Sequence, residues 1–242
     1  MPNIAPLSKN NWLITCSGAP EEITAEWFTP EFWMNHEWIT GSSFGRNKTY
    51  FCQYPKNDNG YLELVLRHYF RGGLVGKINN DAYHFSSIES TRPYRELSIL
   101  ESIQNKQLPG PKPIGGYVIK HRGFYRADIL IEKIPDAKDA YQILIEQEVS
   151  ESTWIKMGQC IRNFHDAGIF HADLNIHNIM LNEDGDTWLI DFDKGEERAP
   201  SKKWQSVNLE RLLRSLNKEK AKHPEFNFAA ERWQWLLNGY YG

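Results

Sequence analysis

At 242 residues the chain is long enough for one large domain or two small lobes, and its 40% hydrophobic, 24% charged composition is that of a globular protein. A formal net charge of −3 argues against a dedicated nucleic-acid binder, which needs a basic excess to meet the phosphate backbone. Cys16, Cys52 and Cys160 are odd in number and form no C-x-x-C pair, which argues against a zinc site or a disulfide framework and fits a reducing cytosol.

The first residues, MPNIAPLSKNNWLITC, lack the basic segment and long apolar run of a signal peptide. No apolar run approaches the roughly 18 residues that span a bilayer, so the chain is expected to be soluble or at most peripheral. Trp27, Phe28, Phe32, Trp33 and Trp38 crowd one short stretch, and Trp233, Trp235, Tyr240 and Tyr241 crowd the C-terminus. The first group reads either as core packing of an N-terminal helix or as a membrane-interface patch, a zone that Trp and Tyr favour. Residues 45–69 predict two strands, KTYFCQY and YLELVLRHY, joined through the Asn-Gly turn chemistry of Asn57–Gly60. In 91–107, Leu97, Leu100 and Ile103 share one helical face, and Leu108–Pro109–Gly110–Pro111 ends the helix. PIGGYVIKHRG and FYRADILIEKI predict two more strands, and Pro135 marks a break. After it, QILIEQEV and WIKMGQCIRNFHDAG read as helices. In the second, Trp154, Met157, Gly158, Ile161, Phe164 and His165 form one stripe, with Gly168 as a C-cap. Short β pieces follow in IFHADL, NIML and TWLIDFD, the last two joined by an Asp-Gly turn at Asn182–Asp186. NLERLLRSLNK and FAAERWQWLL close the chain as helices. The order predicts an α+β protein of two lobes, 1–134 with an antiparallel sheet and one helix and 135–242 mainly helical, with a ligand cleft between them.

Residues 171–195, HADLNIHNIMLNEDGDTWLIDFDKG, are dense in carboxylates, which are costly beside apolar strands unless a metal ion or phosphate compensates them. Asn178 and Asp191 offer hard oxygens of the kind Mg²⁺ prefers, few enough to leave room for phosphate and water. The hairpin 178–191 would bring both to one end of adjacent strands. Asp173, offset on a loop, could take a proton from an attacking hydroxyl. These are the parts of a phosphoryl-transfer site, where positioning and charge neutralisation do most of the work.

H-A-D-L-N-I-H-N resembles the protein-kinase catalytic loop H-R-D-x-x-x-x-N, and D-F-D resembles D-F-G, at a spacing more specific than either motif. The resemblance implies Asp173 as catalytic base, Asn178 and Asp191 as Mg²⁺ ligands, and His171 as a brace for the loop. An N-terminal lobe of this kind must then supply a phosphate-covering loop, a cation and a helix acid. Gly41-Ser-Ser-Phe-Gly45 precedes a strand as such a loop should, but departs from G-x-G-x-x-G and reads equally well as a plain turn. Arg67 stands where the motif has lysine, with His68 and Lys77 as alternatives; Glu96 is in register to pair with it, and Glu101 faces elsewhere. Glu132 sits where the inter-lobe connection meets adenine through backbone groups. No A-P-E follows, and about fifty residues remain after Asp191, which disfavours a protein substrate. Asp193, in place of glycine, adds a charge that could hold a second cation or an acceptor hydroxyl.

R-H-Y-F-R-G-G (67–73), R-P-Y-R-E-L (92–97), H-A-D-L-N-I-H-N (171–178), I-D-F-D-K-G (190–195) and W-Q-S-V-N-L-E-R-L-L-R-S-L (204–216) together resemble bacterial 3-deoxy-D-manno-octulosonic acid (Kdo) kinases, a lipopolysaccharide core branch of the kinase-like superfamily. The resemblance implies transfer from ATP, with Mg²⁺, to the 4-hydroxyl of Kdo on a lipid A precursor, at the cytoplasmic face of the inner membrane. An acceptor bearing a carboxylate and phosphates calls for cations, and Arg71, Lys77 and Arg92 are candidates. Three rival readings stand beside this one. His171-x-Asp173 with His223 could be an iron-binding triad. The fold could bind nucleotide without chemistry. The acceptor could be heptose, an aminoglycoside or another small molecule.

Overall fold

The computed structural model describes residues 1–44, 48–56, 60–70 and 81–242. The class is α+β, in two compact units: Met1–Glu101 with Lys112–Lys133, and Ser102–Pro111 with Ile134–Gly242.

The first unit is built on strands β1 (Asn3–Pro6), β2 (Asn11–Thr15), β3 (Ile39–Phe44), β4 (Lys48–Pro55), β5 (Tyr61–His68), β6 (Tyr83–His84), β7 (Pro113–His121) and β8 (Phe124–Glu132). They pair antiparallel in the order β1-β2-β7-β8-β5-β4-β3, with β6 also on β8. Among the described residues it carries α1 (Pro30–Asn35), the short helix within the aromatic stretch, and the first turns of α2 (Arg92–Asn105). Neighbours along a strand belong to different core clusters: Leu13 with Leu130, Ile14 with Ile129. The sheet is therefore buried on both faces, as the two-residue period of a strand requires. Trp27, Phe28 and Trp33 pack one face and Leu97 of α2 the other. The aromatic stretch is core, and the Trp33 indole donates to the Trp27 carbonyl at 2.7 Å. Thr29 caps α1 by accepting from the Phe32 N–H, with Pro30 at the first helical position.

The second unit carries β9 (Lys138–Asp139), α3 (Ala140–Glu146), α4 (Glu151–Asp166), β10 (Ile169–Phe170), β11 (Ile179–Leu181), β12 (Thr187–Leu189), β13 (Glu196–Glu197), α5 (Lys202–Lys222) and α6 (Ala230–Tyr241). The strands form two small sheets, β12-β11-β9 and β10-β13. The α4 stripe predicted from Trp154 to His165 is buried throughout. Ser150 caps the helix, and Gly168, at φ +76°, turns the chain out of it. Packing of α4 on α6 depends on two glycines. A Cβ on Gly158 would lie 2.0 Å from the Leu236 carbonyl oxygen, and one on Gly239 2.0 Å from that of Ile155.

Candidate active site

The loop from His171 to Asn178 is held by its own polar groups. The Asp173 N–H donates to His171 Nδ1 at 3.1 Å, and the Asp173 carbonyl accepts from the side-chain amides of Asn175 and Asn178, each at 2.9 Å. Asn175 Oδ1 accepts from the His177 N–H and so caps the short 3-10 turn Ile176–Asn178. His171 Nε2 lies 2.8 Å from the Ile190 carbonyl. Because Nδ1 is an acceptor, the proton is assigned to Nε2 and the ring is neutral. Burial pushes the His171 pKa down, which agrees with that assignment. The Asp173 carboxylate itself stays exposed.

Asn178 and Asp191 come to one end of the β11–β12 hairpin. Ile179 pairs with Leu189, and one step beyond, the Ile190 N–H donates to the Asn178 carbonyl at 3.0 Å. The far end closes through the predicted Asp-Gly turn, with Gly185 at φ +75°. Asp191 is itself left-handed, at φ 61°, a conformation that costs a non-glycine residue about 1 kcal/mol and recurs at functional sites. Phe192 stacks on Phe164 and lies against the His171 ring, fixing the chain behind Asp191. Asp193 sits in the turn closed by the Gly195 N–H on the Phe192 carbonyl. The Asn178 amide donates its Nδ2 to the Asp173 carbonyl, so its Oδ1 and the Asp191 carboxylate, at the same end of the hairpin, are hard oxygens that could hold a Mg²⁺ ion.

Three residues of α5, none identified from sequence, grip this loop. Asn208 donates to the His171 carbonyl at 3.1 Å, Arg211 is ion-paired with the Asp173 carboxylate, and Ser215 Oγ accepts from the Ile176 N–H at 3.3 Å. Helix and loop run side by side, 208, 211, 215 against 171, 173, 176. Gln205, one turn earlier, donates to the His165 carbonyl. The available signal was a polar column at helical spacing beside the apolar Leu209, Leu212 and Leu216.

In the first unit, alternation along β5 turns Leu64 and Leu66 to one face and Arg67 with Tyr69 to the other, where α2 packs. There the Arg67 Nη2 meets both Glu96 carboxylate oxygens, at 2.5 and 2.7 Å, and the Tyr69 hydroxyl donates to Glu96 at 2.6 Å. Glu96 is only 2% exposed, so its charge depends on these partners. Glu101 does face elsewhere and accepts from the Ser17 N–H. His68, the alternative cation, is held instead by Asp128 at 2.8 Å. Arg92 lies over the Tyr69 and Tyr83 rings, with its guanidinium on the Tyr83 hydroxyl.

Other expectations need correction. The segment read as a loop from Gly41 is strand up to Phe44: Gly41 pairs with Phe51 in β3, and a Cβ there would make only an ordinary 3.5 Å contact, so nothing local requires glycine. Gly45, Arg71 and Lys77 lie outside the described residues. Glu132 ends β8 with its N–H on the Lys112 carbonyl and its carboxylate on the Lys112 amine, so that N–H is already committed within the sheet. The iron-triad reading also fails locally. Both His171 nitrogens are committed to the backbone, His223 caps α5 beside Glu225, and no group of three or more His, Cys, Asp or Glu among the described residues could hold a metal.

Residues 30–240 match the model of the lipopolysaccharide kinase (Kdo/WaaP) family. The 3-deoxy-D-manno-octulosonic acid kinase of Mannheimia succiniciproducens is 44% identical over 217 residues, covering 88% of this chain and 89% of that protein. The proteins of the same name from Haemophilus influenzae Rd and Pasteurella multocida are 42% and 40% identical, covering 91% and 96% of this chain and 92% and 97% of their own lengths. With the kinase-like spacing of Asp173, Asn178 and Asp191 built into one braced loop and hairpin, the chain belongs to the lipopolysaccharide kinase (Kdo/WaaP) family.

Proposed function

We propose that this protein transfers the γ-phosphoryl group of ATP to the 4-hydroxyl of the Kdo residue on a lipid A precursor. The observation that carries the reading is the loop 171–178, in which His171, Asn175 and Asn178 all bond to the Asp173 backbone while the Asp173 carboxylate stays exposed. In the reaction the acceptor oxygen bonds to phosphorus, the bond from phosphorus to the bridging oxygen breaks, ADP departs with that electron pair, and the hydroxyl proton passes to Asp173. Asn178 Oδ1 and the Asp191 carboxylate are the groups that would hold Mg²⁺, which supplies charge neutralisation on the phosphates when bound. His171, neutral and anchored at both nitrogens, fixes the backbone that carries the base. Arg67, oriented by Glu96, is assigned to the nucleotide phosphates, where its planar fork can meet two oxygens at once. On this reading residues 1–134 form the nucleotide-covering lobe and 135–242 the catalytic lobe.

The acceptor is a lipid, so we assign the work to the cytoplasmic face of the inner membrane, with peripheral contact. No helix among the described residues is long and apolar enough to cross a membrane. The test is γ-phosphate transfer from ATP to a Kdo-bearing lipid A precursor, by the native protein and by Asp173→Ala. Loss of a general base costs roughly 10²- to 10⁴-fold, so the variant should fall by at least that much. A variant that retains native turnover would remove Asp173 from the role.

A further inference from the structure

Arg211 pairs with the Asp173 carboxylate through Nη1, and both side chains are about half exposed. Exposed pairs of this kind add little to stability. The loop is already fastened by Asn208, Ser215 and Asn178. The fold therefore does not need this cation, and a chemical reason for its position has to be sought in what approaches Asp173. Among the described residues Asp173 is the protein partner of the guanidinium, so the remaining N–H edge can take a second anion.

The proposed acceptor is a sugar acid. Its 4-hydroxyl stands on the ring carbon two bonds from the carbon that bears the carboxylate. When Asp173 meets the 4-hydroxyl, the acceptor's carboxylate approaches the same neighbourhood, where two carboxylates would repel each other without a cation between them. We propose that Arg211 is a specificity-determining residue that bridges Asp173 and the carboxylate of the acceptor, selecting a sugar acid over a neutral sugar. A guanidinium fits this role better than an ammonium because its fork can serve two oxygen partners in one plane. This inference rests on the proposed function, since it takes Asp173 as the group that meets the acceptor hydroxyl.

The test is a binding measurement that does not depend on turnover. Calorimetric affinity for the Kdo-bearing precursor, and for the same compound with its Kdo carboxylate reduced to an alcohol, is compared between the native protein and Arg211→Ala and Arg211→Lys, with circular dichroism melts as the folding control. The native protein should bind the reduced compound roughly ten- to a hundredfold more weakly, the range of a charge-assisted hydrogen bond. Arg211→Ala should bind the acid weakly and show no further loss with the alcohol, keep its affinity for Mg²⁺-ATP, and melt as the native protein does. Arg211→Lys should recover part of the discrimination. An Arg211→Ala protein that still prefers the acid by the native factor would overturn the proposal, as would a native protein that binds acid and alcohol equally. Discrimination that depends on Arg211 in a protein that transfers no phosphate would sustain this inference while defeating the proposed reaction.

Discussion

The Asp173 carboxylate is exposed, yet the backbone that carries it makes three hydrogen bonds within eight residues, so the side chain is positioned by the chain rather than by burial. The placement of this loop beside the β11–β12 hairpin was legible in the sequence, because the spacing of Asp173, Asn178 and Asp191 already put a loop and then a two-stranded hairpin there. Arg211 was not legible. It falls inside the 204–216 segment that carries the family resemblance, but it lies 38 residues from its partner, and nothing in that helix's pattern points to Asp173. The Arg67–Glu96 pair was legible from strand and helix register, but its third member, Tyr69, was not, since a hydroxyl on a core aromatic gives no sequence signal. The pair makes its own prediction. Glu96→Ala would remove the buried carboxylate that both Arg67 and the Tyr69 hydroxyl meet, and removing one partner of a buried pair costs about 3–5 kcal/mol. Denaturant unfolding should show a loss of about 3 kcal/mol, at the low end because Arg67 keeps some solvent contact. A loss below about 1 kcal/mol would mean the network does not hold this face of the sheet.

Among elements, α2, α4, α5 and the strands β4, β5, β7 and β8 follow directly from periodicity, since each has several apolar residues at strand or helix spacing. The strands that escaped, β1 to β3, β6, β9 and β13, are two to six residues long or carry Gly and Ser, and their pairing is set by distant partners rather than local propensity. β2, for example, is fixed by Leu13 and Ile14 dividing between two core clusters as it pairs with β7. The closeness of α4 to α6 was likewise invisible, because a helix-interior glycine reads only as a weak point until its neighbour is known. Gly158→Ala should therefore destabilise the second unit well beyond a propensity change, since alanine is the better helix former. Overpacking of this kind costs about 1–3 kcal/mol or more, readable as a lowered urea midpoint at unchanged slope. An unchanged or raised midpoint would mean that α6 can step aside without penalty.

At the scale of the whole molecule, two buried neutral histidines of the second unit link its stability to pH. Burial pushes His165 down from 6.5 to about 4, where its ring also meets the Tyr240 hydroxyl at 2.7 Å, and burial lowers His171 in the same direction. The unfolded chain takes up these protons near pH 6.5 while the folded chain resists them. Stability is thus fully present above about pH 6.5 and is lost as pH falls toward 4. His165 alone accounts for a loss on the order of 3 kcal/mol across that window. Urea unfolding at pH 7 and pH 4.5 should show it, and His165→Phe should flatten the dependence; a native profile flat over this range would contradict the neutral, buried assignment.

The α+β class and the kinase family were both readable from the chain, the first from where periodicity changes and the second from the motif spacing. The acceptor is where chemistry alone stops, because a base and two metal ligands serve any hydroxyl. The central claim is therefore tested most directly by the position of the new phosphate. A Kdo-bearing lipid A precursor should be incubated with the protein and Mg²⁺-ATP, and the product mapped by phosphorus–proton correlation spectroscopy. A single new phosphomonoester coupled to the proton on carbon 4 of Kdo is the result the account predicts; phosphate on another hydroxyl, or an unmodified Kdo ring after complete incubation, would contradict it.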